Sequence, residues 1–171
     1  EDNQLFEIAD AIDVSWKEHW NDVRVKAVVD TPKKDSICKP IEEAGVRIYN
    51  DTVRPEYTPD AISSLKADEV FVFGSNLHGH HGGGAARAAV KKFGAIWGQG
   101  VGLQGQSYAI PTMQGGVETI KPYVDQFIDF AKEHTELFFY VTRIGCGIAG
   151  FKDRDIAPLF KDAMGISNVC L

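Results

Sequence analysis

Residues 70–84 read Val-Phe-Val-Phe-Gly-Ser-Asn-Leu-His-Gly-His-His-Gly-Gly-Gly, and this run decides how the rest of the chain is read. Val70, Phe71, Val72 and Phe73 are β-branched or aromatic without polar interruption, the pattern of a strand buried on both faces. Gly74 ends the run. Ser75 and Asn76 then offer polar side chains, and Gly82, Gly83 and Gly84 open onto Ala85-Ala86-Arg87-Ala88-Ala89-Val90-Lys91-Lys92-Phe93. That stretch is a good helix former, with Gly94 where a helix would stop. Strand, glycine loop and helix together suit an anion, because the helix's first N–H groups are unpaired and glycine lets the backbone approach closely.

The surroundings agree with that reading. Of the 17 glycines, 12 lie between Val70 and Val117, a span that contains no Asp or Glu but does contain Arg87, Lys91 and Lys92. Residues 1–69 carry 16 acids and 9 bases, whereas residues 70–171 carry 8 acids and 9 bases. A glycine-rich surface free of carboxylates is hospitable to a phosphate group. The net charge of −6 gives no footprint for nucleic acid, so no such partner is expected. Cys38, Cys146 and Cys170 are few, odd in number and far apart, which argues against a disulfide framework. With no apolar run near the ~20 residues of a membrane span and no signal-like start, a reducing, cytoplasmic setting is expected.

Before the glycine run, Leu5, Ile8, Ala9, Ile12, Trp16 and Trp20 recur at helical spacing, predicting a helix over residues 5–29. Its apolar stripe suits packing on the main body or covering a protein partner. A polar connector follows from Thr31 to Lys39. The chain thus divides into an N-terminal helical segment, residues 1–40, and a main domain, residues 41–171. Within the latter, Gly45–Asn50 suggests a short strand. Thr58-Pro59-Asp60 suggests the cap of a short helix from Asp60 to Leu65.

Beyond the run, Gly98–Gln106 is too glycine-dense for regular structure, and Ser107–Pro111 is the next strand. Thr119–His134 is an amphipathic helix with Pro122 in its first turn. Leu137–Ile144 is the strongest strand pattern. It leads into a second glycine loop, Gly145-Cys146-Gly147-Ile148-Ala149-Gly150-Phe151. Asp153 can cap a helix reaching Ala163, and Asn168–Leu171 reads as a closing strand. Alternating strands and helices predict an α/β/α three-layer sandwich with a mixed, largely parallel sheet. Both glycine loops would then leave strand C-termini, where open α/β sheets bind ligands.

These residues resemble the macrodomains, a family that binds ADP-ribose and its derivatives. The family's first ligand loop places an asparagine after a buried strand, then a glycine run opening an alanine-rich helix. Asn76, Gly82, Gly83, Gly84 and the helix that follows are similar. Its second loop runs Ser or Thr, Gly, Ile, aromatic, Gly, aromatic. Cys146-Gly147-Ile148-Ala149-Gly150-Phe151 is close to that, with Cys and Ala as departures. Tyr108–Gly115 resembles the strand between the loops, and the stretch at Asp60 resembles the one whose acid meets adenine. The resemblance covers residues 45–171. It implies a site for ADP-ribose or a related NAD-derived nucleotide formed by Asp60, Ser75, Asn76, His81, Gly82–Gly84, Arg87 and Gly145–Phe151, with no cofactor. The aspartate that ester-hydrolysing members carry after the glycine run is missing, since Ala85, Ala86 and Arg87 stand there. Asn76 can still position a water, with Cys146 or a loop histidine as other candidates and Asp153 and Asp155 as acids beyond the second loop, so removal of ADP-ribosyl groups, or cleavage of a phosphorylated nucleotide, is the alternative to simple binding. A purely protein-interacting role is the third reading.

Individual residues keep two readings each. His78, His80 and His81 are neighbours that point apart in an extended loop and lack a fourth ligand, so a metal is not expected there. They either line a diphosphate site or are simply exposed. Cys146 is a displayed nucleophile or a small residue that permits a tight turn. Arg87 meets phosphate or solvent, Phe151 stacks on a sugar or anchors its loop, and Asp60 accepts from adenine or favours a helix dipole.

Overall fold

The strand predicted at residues 70–73 is β3, Glu69–Ser75, the centre of a five-stranded sheet. The computed structural model describes residues 46–171. The helix expected over residues 5–29, the connector Thr31–Lys39 and Cys38 therefore lie outside the described residues. Strands are β1 Val46–Tyr49, β2 Thr52–Pro55, β3, β4 Gly102–Gln104, β5 Ser107–Pro111, β6 Phe138–Val141 and β7 Val169–Cys170. Helices are α1 Gly84–Lys92, α2 Val117–Glu133 and α3 Asp153–Ile156, the last running into a 3-10 helix over Ala157–Ala163. The sheet order is β4-β5-β3-β6-β7. It is parallel throughout except for β4, which runs antiparallel to β5.

Strand parity sorts the core into two faces. Val70, Val72, Tyr108, Ile110, Phe139 and Val141 pack with Val124, Phe127 and Ile128 of α2 and with Phe160 of the 3-10 helix. On the opposite face Phe71, Phe73 and Ala109 meet Ala86 and Ala89 of α1 together with Phe93. The alanines let α1 lie close over two large rings. Phe138, Tyr140 and Cys170 are covered by Tyr49, Ile62 and Leu65.

Four local expectations are corrected. Asp60–Leu65 is irregular rather than helical. Thr58 spends its hydroxyl on the Cys170 carbonyl at 2.8 Å and its N–H on that of Leu171 at 3.2 Å, so the expected cap is unavailable. Gly98–Gln106 contains β4, because the sheet edge offers β5 as a partner. The 153–163 helix breaks into two forms, with Pro158, which lacks an N–H, in the first turn of the 3-10 helix. Asp153 begins α3, while Asp155 accepts from the Lys152 N–H at 3.0 Å as the capping carboxylate. The strand at 137–144 is also shorter than expected, ending at Val141. Hairpin β1–β2 was only half anticipated. Its second strand follows a turn in which Asn50 and Asp51 both take left-handed backbone angles, φ 47° and 56°.

Candidate functional site

Because β3 and β6 are parallel neighbours in register, the two glycine loops leave the sheet side by side. A Cβ added to Gly74 would lie 3.3 Å from the Gly145 nitrogen. Between the loops lies a cleft walled by Gly83, Gly84, Ala85 and Ala86 on one side and by Thr142 through Gly145, Gly147, Ile148 and Ala149 on the other. No carboxylate is among the residues lining it. The helix α1 starts in this wall with no side-chain cap and no acid in its first turn, leaving its leading N–H groups without intrahelical partners. A second cleft adjoins the first, lined by Thr58, Pro59, Asp60, Val141, Thr142, Arg143 and Leu171. Thr142 and Arg143 belong to both walls.

Arg143 holds the boundary. Its guanidinium donates to both carboxylate oxygens of Asp153, Nε at 3.1 Å and Nη2 at 2.5 Å, and this raises its pKa further. Sequence reasoning did not single out Thr142 or Arg143. The available signal was a polar Thr-Arg pair closing an otherwise apolar strand.

The predicted residues divide. Gly83, Gly84, Gly145, Gly147, Ile148 and Ala149 come together in one cleft, and Asp60 lines the next. Ile148 is 76% exposed, and a Cβ on Gly83 would touch its Cδ1 at 2.8 Å, so the loops meet there. Ser75 is buried, donating its hydroxyl to the Gly100 carbonyl. Asn76 clasps its own loop: its amide donates to the His80 carbonyl at 2.8 Å and its Oδ1 accepts from the His80 N–H at 3.0 Å. Neither residue lines either of these two clefts. Gly79 and Gly100 explain much of the glycine density, since a Cβ on either would run into backbone of the facing 98–100 or 76–77 segment.

His81 is 1% exposed, its Nε2 2.9 Å from the Gln99 carbonyl and its ring edge-on to Phe73 and Trp97. It forms a wall of neither cleft. Gly82 is exposed, with the edge of the Trp97 ring 3.9 Å from a built Cβ, and Arg87 is exposed one turn into α1. Gly150 closes the second loop through its N–H to the Gly147 carbonyl at 3.0 Å. Phe151 packs on the core, 3.3 Å from a built Gly145 Cβ, as an anchor beneath the loop. Cys146 packs there too. Burial, with the Asp153 carboxylate beside it, pushes its thiol up to about 12. Among the described residues no three His, Cys, Asp or Glu side chains are grouped to hold a metal ion, and no helix is long and apolar enough to cross a membrane. Comparison with protein-family models, with curated proteins and with solved structures gives no match to this chain.

Proposed function

We propose that the protein binds ADP-ribose, or a related NAD-derived nucleotide, along the paired clefts of a macrodomain-like α/β/α sandwich. The observation that carries this reading is the convergence of Gly83–Ala86 and Gly145–Ala149 on one carboxylate-free cleft that continues, past Thr142 and Arg143, to Asp60. In it the diphosphate lies against the leading N–H groups of α1 and the second loop, where a helix N-terminus favours negative charge. Arg143 supplies a cation nearby, and the Asp60 carboxylate is the acceptor for an adenine amino group. The main alternative, hydrolysis of ADP-ribosyl groups, lacks a base: Asn76 is occupied with its own loop and no acid lines the glycine cleft. Loss of a general base costs roughly 10²–10⁴-fold, so turnover of an ADP-ribosyl ester is expected to be slow or absent.

The test is calorimetry with ADP-ribose on the wild type and on Gly147→Val. A Cβ at position 147 has no heavy atom within 4 Å, so the variant keeps the fold while branched carbons intrude on the cleft. Binding by the wild type, lost in Gly147→Val at unchanged Tm, is the expected result. Equal affinity in both proteins removes the second loop from the site, and absence of binding by the wild type removes the reading altogether.

A further inference from the structure

Beside the glycine cleft lies a second feature that the diphosphate reading does not use. Trp97 is a large apolar side chain left 60% exposed, and its ring stacks on His80, which in turn stacks on His78, each pair at 5.7 Å between centroids and within 28° of parallel. The edge of the Trp97 ring reaches to 3.9 Å of a Cβ built on Gly82, the exposed residue that leads into the cleft wall at Gly83. No aromatic ring covers its remaining face among the described residues.

The sheet order fixes where this platform stands. The Asp60 cleft sits at the C-terminal ends of β6 and β7, at Val141 and Leu171, and the glycine cleft at those of β3 and β6. The 97–100 segment lies on the other side of β3, packed under the Asn76–Gly79 turn and leading into β4. Along the sheet's C-terminal edge the order is therefore Asp60 carboxylate, Arg143, glycine cleft, exposed ring stack. We infer that Trp97, backed by His80 and His78, is a stacking platform for a planar ring carried on the far ribose, so that the preferred ligand is a dinucleotide such as NAD+ rather than ADP-ribose itself. This rests on the cleft reading above. It goes further in naming a second ring-binding end. A tryptophan face is also the best side-chain partner for a cationic ring, as the oxidised nicotinamide is.

The experiment compares NAD+ with ADP-ribose by calorimetry on the wild type, Trp97→Leu and Trp97→Phe, with the melting temperature of each variant recorded. Stacking of one base on an aromatic side chain predicts that the wild type binds NAD+ at least about fivefold more tightly than ADP-ribose. Trp97→Leu should erase that preference while leaving ADP-ribose affinity alone, and Trp97→Phe should keep part of it. Equal affinity for the two ligands in the wild type, or a Trp97→Leu loss shared equally by both, overturns the platform and leaves the cleft standing. Absence of binding by either ligand instead overturns the cleft reading, and the platform with it.

Discussion

Cys146 lies between two glycines just past β6, a place from which a nucleophile can be displayed, yet its side chain packs on the core beneath the loop. Burial disfavours the thiolate, and the Asp153 carboxylate adds like charge and a hydrogen bond to the protonated form, leaving the thiol at about 12. The sign is that of a raised acid. The group stays protonated across the physiological range and ionises only as pH approaches 12. Against a free thiol at pH 8, the smaller thiolate fraction outweighs the greater intrinsic nucleophilicity, and alkylation should be slower by roughly 10². Peptide mapping after timed iodoacetamide treatment reads this at Cys146 alone. Asp153→Asn removes the carboxylate and should speed the reaction; a Cys146 that reacts like a free thiol in the wild type contradicts the burial argument. Asn76 gives a parallel lesson. Its residue type suits ligand contact, but both ends of its amide are spent on His80, a partner four residues away that sequence spacing alone cannot assign.

At the scale of elements, α1 is the part on which the proposed site depends, and its first turn is chemically bare. Ala86 is 8% exposed and packs in the cluster with Phe71 and Phe73, so an acid placed there would be buried at considerable cost. Ala85 is half-buried and also lines the cleft, which makes it the position to test. Ala85→Asp should raise stability by about 0.3–1 kcal/mol through the helix dipole. The same charge should weaken an anionic ligand by about 1 kcal/mol, and less at high salt. Opposite signs in Tm and in Kd are the signature, and unchanged affinity at every salt concentration would place the ligand elsewhere. The alternation that identifies β3, α1, β5 and α2 was legible because each carries its own periodicity or glycine stop. Two of the failures share a cause. Thr58 and β4 take their form from partners distant in sequence: Thr58 bonds to Cys170, and β4 borrows the edge of β5. The convergence of the two loops was readable from the strand–loop–helix order, whereas the wall shared through Arg143 and the ring stack at Trp97 exist only once the sheet order is set.

For the molecule as a whole, a buried cation ties the hairpin β1–β2 to the main sheet, beside Tyr49, whose ring packs on Phe138. Arg54 is 1% exposed, forks between Glu69 at the start of β3 and Asp68 beside it, and lies 4.9 Å over the Phe138 ring. The Tyr140 hydroxyl donates to the same Glu69 at 3.0 Å, so β2, β3 and β6 meet at one carboxylate. Nothing in the sequence around Arg54 marks it as buried, since the ion pair is made with residues 14 and 15 positions away across an irregular segment. Replacing Arg54 by Ala would strand Glu69, which is 6% exposed, without its counter-charge. Breaking a buried pair in this way costs about 3–5 kcal/mol, a large part of the 5–15 kcal/mol that holds a typical domain together. Arg54→Lys keeps the charge but loses the fork that reaches two carboxylates, and should recover only part of the loss. Removing the charge on both sides, with Arg54→Met and Glu69→Leu together, should cost less than Arg54→Ala, because the penalty lies in the unpaired ion rather than in the absent pair. Urea denaturation of the three variants orders them, and a double variant less stable than Arg54→Ala would show that Glu69 is held by Tyr140 and the Lys66 N–H rather than by the cation.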